Sequence, residues 1–390
     1  MKWRYPYTVL VLCTLAFFVT MVGRLSISPV VTDIVAEFQV SNALIGVALS
    51  GMWLTYGLSQ YPSGILADRF GERRIILVSI GGTIVASLLL IIAPNIGVFI
   101  LATVLLGAVA GLHYSVATTL LARKFDRIGS AVGIHNTGAT LAGLLTPVIV
   151  AWVAVRYGWR PAIGVTVLLG TPVFILFFWR IRETPPRKPS QPMLSQIDIG
   201  AAVELLSRPA IAFTLVLAII GEFVWQGTAS FLPTFLIEHR GQSTTLAGTV
   251  FSVYFIAQGV GQVVVGAASD RFGRDQTTAG CMLVGAAGIA LLILTPGLLS
   301  AILGGVFLGI GMSFGAALLP RFLDEMSDEE QATGFGLVRS VYMIFAALGS
   351  VVTGVFADLF GWAAAFAFLC ALLLFLATAL TANKLFNLGL

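Results

Sequence analysis

The chain has 390 residues, 58% of them hydrophobic and only 10% charged, with a mean hydropathy of +0.97. About a quarter of the residues in a water-soluble chain are charged, so this composition excludes a soluble globular protein. Repeated apolar runs of about 20 residues indicate a polytopic helical membrane protein. The net charge of +4 is read as membrane topology, not nucleic-acid binding.

In chain order, the apolar runs predict twelve spans at about 7–32, 41–67, 74–93, 97–122, 129–155, 161–181, 210–236, 244–269, 277–294, 298–320, 331–357 and 362–383. The opening MKWRYPY resembles the charged start of a signal peptide. The run after it has no small-residue cleavage site and continues to about Val31, so it is read as a retained first span. Cys13, Cys281 and Cys370 lie far apart in apolar runs and read as packing residues; no disulfide framework or metal-ligand spacing is present.

The loops alternate in charge. Seventeen of the 22 basic residues fall on one side, among them Lys2, Arg69, Arg73, Arg74, Arg123, Arg187 and Arg274; the other side holds Arg156, Arg160 and Arg240. Positive-inside then places both termini in the cytoplasm of a plasma (inner) membrane. Two basic residues, Arg24 and Arg339, lie within spans, and Glu222 is the acid well inside one.

Residues 183–209 form the longest polar stretch and separate a first bundle, 1–182, from a second, 210–390. Pro185, Pro186, Pro189 and Pro192 disfavour a helix there, while 195–207 could lie on the membrane surface as an amphipathic helix. The halves repeat. At an offset of 202, Ser41, Gly57, Gln60, Gly64 and Asp68-Arg69-Phe70-Gly71 match Ser243, Gly259, Gln262, Gly266 and Asp270-Arg271-Phe272-Gly273. Gly107 matches Gly309 at 202, and Gly158-Trp159 matches Gly361-Trp362 at 203. Six spans per half give parallel repeats about an axis along the membrane normal.

On these residues the chain resembles the major facilitator superfamily over its whole length. GILADRFGERR, from Gly64 to Arg74, resembles that family's signature between spans 2 and 3. The copy at Gly266 keeps Asp270, Arg271 and Gly273 but has Asp275 where a basic residue stands. Thr103 occupies the place of the family's common arginine in span 4, and span 5 lacks the glycine-proline pattern of its drug antiporters. The resemblance implies an all-α integral membrane fold of twelve transmembrane helices in two pseudo-symmetric six-helix bundles. It also implies alternating access, with spans 1, 4, 7 and 10 lining a cavity and a monomer as the working unit. Gly64, Asp68, Arg69, Gly71 and Arg73, with Gly266, Asp270, Arg271 and Gly273, are then expected to serve gating, and Asp68 to cap a helix or pair with a basic residue in one state. Gly64 is expected to admit close helix approach.

Thr20, Arg24 and Ser28 form one polar stripe; adding 202 gives the stripe Glu222, Gln226 and Ser230. An intramembrane charge costs at least about 2.5–3.5 kcal/mol even on the mild insertion scale, so each needs a partner or a wet cavity. Arg24 and Glu222 read either as a structural ion pair or as an anion anchor and a protonatable switch. Arg339 either snorkels to the interface or adds a second positive group. His113, Tyr114, Tyr56, Gln60, Asn136, Gln226, Tyr254 and Gln258 complete the candidate substrate-binding set with Arg24 and Arg339. His135 is read as a packing residue or a relay, and Trp53 as sharing the face of Tyr56. No phosphate-binding loop or catalytic nucleophile arrangement is present, so no enzyme, cofactor or metal is expected, and Glu222 is the expected proton-coupling group. These residues favour secondary transport of a small organic anion, a carboxylate or sugar acid, coupled to protons. Proton-coupled efflux of drugs or amphipathic cations is the competing reading, and a non-transporting receptor on the same fold is a third.

Overall fold

A computed structural model describes residues 5–125, 127–187 and 204–386. Among these the chain is helical throughout. Eleven stretches are long and apolar enough to cross a membrane, beginning with Tyr5–Phe38 and ending with Trp362–Leu385. Asn42–Phe70 is a further 29-residue helix of matching length and more polar composition. Large apolar side chains such as Leu101, Leu168, Val263 and Leu294 are each more than 70% exposed, as lipid contact requires and water does not tolerate in such numbers. The candidate amphipathic helix at 195–207 lies mostly outside the described residues.

The chain divides into two compact units: spans 1–6 without Ser41–Gly46, and spans 7–12 with Ser41–Gly46. In the first, α1 (Tyr5–Leu25) leads through a 3-10 turn (Ser28–Val30) into α2 (Val31–Phe38). Then follow α3 (Asn42–Phe70), α4 (Glu72–Ile91), α5 (Ile96–Gly111), α6 (Tyr114–Ala122), α7 (Ile128–Tyr157) and α8 (Trp159–Arg180). The second unit holds α9 (Pro209–Glu238), α10 (Thr244–Phe272), α11 (Arg274–Leu294), α12 (Leu298–Gly311), α13 (Gly315–Asp324), α14 (Asp328–Ala346), α15 (Leu348–Phe360) and α16 (Trp362–Leu385). Ser41–Gly46 count with this unit because Asp358 accepts hydrogen bonds from Asn42 N, Asn42 Nδ2 and Ala43 N.

Each unit carries the sequence repeat in its backbone. Gly71 and Gly273 both sit at positive φ, 87° and 94°, where they end α3 and α10 and start the next helix; a residue with a Cβ is strained there. Gly107 and Gly309 bring α5 onto α3 and α12 onto α10. A Cβ on Gly107 would lie 2.0 Å from the Met52 carbonyl oxygen, and one on Gly309 would lie 2.3 Å from that of Tyr254. Those two contact residues are themselves 202 apart.

The spans read as continuous in the sequence are interrupted at informative places. Span 1 breaks between Leu25 and Val31, span 4 at Leu112–His113, and span 10 at Met312–Phe314. Pro29 accounts for the first, because it cannot donate to an α-helical ladder. Such breaks free backbone groups inside a membrane and persist where protein or a cavity satisfies them.

Candidate functional site

Arg24 lies in the last turn of α1, directly before the span 1 break, and is 3% exposed. Its Nε donates to the Thr20 carbonyl at 3.3 Å, and one terminal nitrogen lies 2.7 Å from the Met21 sulfur. The guanidinium carbon sits 4.0 Å from the Tyr56 ring centroid and 5.3 Å from that of Trp53. Trp53 and Tyr56 meet edge-on at 6.1 Å, one helical turn apart on α3, which is why one cation reaches both. Within its own unit Arg24 meets no carboxylate among the described residues. Two aromatic faces stabilise its charge without neutralising it. Gln60, one turn further along α3, is buried, and its Nε2 has no hydrogen-bond partner among the described residues.

The span 4 break places His113 beside this arginine, near enough for the Arg24 charge to act on it. His113 packs with Phe17 and His135 from neighbouring helices, and Tyr114 packs with the same two rings. His135 is fully buried, whereas the neighbouring Asn136 is exposed on another face of α7. The structure therefore brings Arg24, Tyr56, Gln60, His113 and Tyr114 into one unit-1 region and leaves Asn136 on a different surface.

In the second unit Glu222 is half-buried on α9. Arg339 of α14 is close enough for its charge to act on the Glu222 carboxylate, and Glu222 in turn acts on Tyr254 of α10. Inside its own unit, then, the basic group that addresses Glu222 is Arg339. The Tyr254 hydroxyl and the Gln226 Oε1 are both buried without hydrogen-bond partners among the described residues. Gln258 is differently placed. Its Nε2 donates to the Met312 carbonyl at 3.0 Å, and its own carbonyl accepts from Ser313 Oγ at 3.0 Å, so it braces the span 10 break. Gln258 is the repeat partner of Tyr56, yet one holds a helix break and the other a charge.

At the signature, Gly71 turns the chain so that the Arg73 amide donates to Thr184 Oγ1 at 3.0 Å and the Arg73 side chain donates to the Phe178 carbonyl at 2.6 Å. Asp68 pairs loosely with Arg187 at 3.8 Å, and its carbonyl accepts from the Arg187 amide at 2.8 Å. The sequence reading missed Glu72. It is 1% exposed and faces Arg123 at 3.1 Å and Arg187 at 3.7 Å. In the second copy Arg274 stands at the Glu72 position and pairs with Asp324 at 3.1 Å and Asp270 at 2.8 Å. Asp275, which departs from the signature, accepts from Arg321 at 2.8 Å. Its charge therefore has a local use. The expectation of close helix approach at Gly64 fails here: a Cβ at Gly64 or Gly266 would meet no atom within 4 Å, because the close glycine contacts are made instead at Gly107 and Gly309.

The Major Facilitator Superfamily profile matches residues 13–248 and 214–385. The membrane sensor protein UhpC of Salmonella typhimurium is 25% identical over 295 residues, 69% of this chain and 66% of that protein. The multidrug resistance protein MdtG of Citrobacter koseri is 29% identical over 263 residues, 65% of this chain and 62% of that protein. The chain thus spans less than two thirds of the length of both relatives. Among solved structures, an inward-facing bacterial homologue of the human lysosomal transporter Spinster aligns with a TM-score of 0.78 at 19% identity, covering 99% of this chain and 95% of that one. The nucleoside transporter NupG aligns with a TM-score of 0.81 at 14% identity, covering 97% and 99%. These structural matches speak for the fold. Together with the two profile matches, which run through both halves, they show that the chain belongs to the Major Facilitator Superfamily.

Proposed function

We propose that the chain is a secondary transporter for a small organic anion, a carboxylate or sugar acid, coupled to protons. One observation carries the reading: Arg24 is buried at a helix break, held by Trp53 and Tyr56, and meets no carboxylate among the described residues of its own unit. A membrane-buried cation in that setting is a site for an anion brought from outside. The planar guanidinium fork suits a carboxylate, which it can bind through two parallel hydrogen bonds. Glu222 would carry the proton, with the Arg339 charge near it. Asp68, Arg69 and Arg73, with their counterparts, would serve the gates, and both termini would lie in the cytoplasm.

A thermal-shift screen of the purified protein tests this directly, because a ligand that binds only the folded state raises its stability with concentration. A carboxylate or sugar acid should raise the unfolding midpoint, and Arg24→Gln should abolish the shift. Extrusion of a cationic drug from proteoliposomes that needs Glu222 but not Arg24 would overturn the proposal in favour of efflux, the reading supported by the likeness to MdtG. The likeness to a membrane sensor supports a third reading. Under that reading an anion would bind at Arg24 without net flux, so anion uptake into proteoliposomes separates sensor from transporter.

A further inference from the structure

Gly111 is the last residue of α5, directly before the span 4 break, and it is buried. A Cβ there would lie 2.4 Å from the Tyr56 carbonyl oxygen, 2.9 Å from the Ser59 Cβ and 3.1 Å from the Tyr56 carbonyl carbon. Ordinary contact begins at 3.4 Å, so a side chain at 111 would drive α5 and this part of α3 apart by about 1 Å. Packed backbone cannot swing aside as the end of a long side chain can. The second half shows that the scaffold does not demand this glycine. Gly107 has its repeat partner in Gly309, and both meet a backbone carbonyl of the neighbouring helix, so that contact belongs to both halves. Gly111 is answered instead by Ser313, whose hydroxyl donates to the carbonyl of Gln258 at 3.0 Å. Gln258 is the repeat partner of Tyr56. At one place in the scaffold, then, the second half bridges the two helices with a hydroxyl and the first half closes them with no side chain between. The partners differ in the same way: the Tyr56 ring holds the Arg24 guanidinium at 4.0 Å, whereas Gln258 braces a helix break.

We propose that Gly111 is a positioning residue of the anion site: its missing side chain lets α5 seat the backbone of Tyr56 where the Tyr56 ring meets Arg24. This rests on the anion reading of Arg24. The chain of contacts is short. Gly111 meets the Tyr56 backbone, the Tyr56 ring meets the guanidinium, and the guanidinium meets the anion. Gly111 acts through Tyr56, with no side chain of its own to offer an anion. The attraction between a cation and a ring face acts at short range, so a displacement of Tyr56 falls directly on the clamp. Trp53, one turn away on α3 and 5.3 Å from the guanidinium, is carried by the same helix. A larger residue at 111 should therefore loosen the clamp by as much as Tyr56→Ala does, about 2- to 30-fold in anion affinity. A packing role alone gives a different result: lower stability, with Arg24 and its rings unaltered.

The test is nitrogen-15 and proton NMR of the full-length protein, arginine-labelled, in nanodiscs. A guanidinium over an aromatic face has ring-shifted N–H signals, and those of Arg24 are identified by their loss in Arg24→Gln. Tyr56→Ala should remove the ring shift. Gly111→Ala should reduce it, and should add nothing in the Tyr56→Ala background, because substitutions that act through one contact are not additive. Gly111→Ser takes the place of the alanine variant if that one does not fold, since the second half carries serine at this position. Gly138→Ala is the matched control. Its Cβ would also lie 2.4 Å from a backbone oxygen, that of Thr14, about 15 Å along α1 from Arg24. It should lower stability and leave the Arg24 signals in place. Calorimetry with sodium D-glucuronate should show weaker binding in Gly111→Ala and wild-type binding in Gly138→Ala. Unaltered Arg24 signals in Gly111→Ala, the same alteration in Gly138→Ala, or undiminished glucuronate affinity in Gly111→Ala would each overturn the proposal. A reduced ring shift in Gly111→Ala, with no glucuronate binding to the wild type, supports the seating of Tyr56 and counts against a sugar acid as the anion.

Discussion

At the scale of single residues, the Arg24 clamp makes a graded prediction. The Tyr56 ring lies 4.0 Å from the guanidinium carbon, and a desolvated cation–π contact contributes about 0.5–2 kcal/mol. Tyr56→Ala should therefore weaken anion binding about 2- to 30-fold, whereas Tyr56→Phe, which keeps the ring face and loses only the hydroxyl's hydrogen bond with Arg24, should lose less. Equal losses in both variants, measured by calorimetry, would assign the effect to the hydroxyl instead. The Arg24 stripe was legible because a charge in an apolar run has few explanations. Glu72 was not. It reads as one more polar residue of a charged turn, and its burial comes from Arg123 and Arg187, which approach from positions 51 and 115 residues further along the chain. Its stability effect should exceed that of the exposed acid Asp270 in the second copy of the signature. Glu72 itself is buried between two partly exposed arginines, whereas Asp270 is exposed and exposed pairs contribute only about 0–1 kcal/mol, so Glu72→Gln should lower the unfolding midpoint more than Asp270→Asn.

At the scale of helices, sequence pattern gave the number and order of spans, and the repeat register located the glycines that join them. It did not show which glycines touch anything. Gly64 and Gly107 both lie in the repeat, yet a Cβ finds open space at the first and the Met52 backbone oxygen at 2.0 Å at the second. Backbone cannot yield as a side chain does, and overpacking costs about 1–3 kcal/mol. Gly107→Ala and Gly309→Ala should both lower thermal stability, while Gly64→Ala should leave it unchanged. A stability loss at Gly64 equal to that at Gly107 would contradict these helix contacts. The breaks at Leu112–His113 and Met312–Phe314 were also illegible, because uninterrupted hydropathy reports burial in the membrane and is blind to where the helical ladder stops. The first break carries a proline, Pro29, yet span 1 reads as continuous by hydropathy as well.

At the scale of the whole molecule, a duplicated scaffold carries chemistry that is not duplicated. Tyr56 holds Arg24 while its counterpart Gln258 braces a helix break, and the Glu72–Arg123 pair is answered by Arg274–Asp324 with the signs exchanged. The proposed orientation of the scaffold rests on the basic loops, so the three arginines on the opposite side need an account. Arg160 pairs with Glu37 and donates to the Ala93 carbonyl at 3.0 Å. Arg240 donates to the carbonyls of Leu292, Thr295 and Gly297 at 2.6–2.8 Å. Arg156 lies over the Trp152 ring at 4.1 Å. Among the described residues only Arg160 is paired with a carboxylate; Arg240 and Arg156 keep their charge, and three basic residues remain few against the seventeen on the other side. A membrane-impermeant thiol reagent applied to intact cells should therefore label Gln242→Cys but not Arg271→Cys, with little background because Cys13 and Cys281 are buried and Cys370 is half-buried. Labelling of the second and not the first would place the signature turns outside and reverse the orientation of the chain. If Arg160→Gln and Arg240→Gln leave the labelling pattern unchanged, the cytoplasmic arginines hold the topology; a flipped pattern would mean that the local contacts on the outer face do.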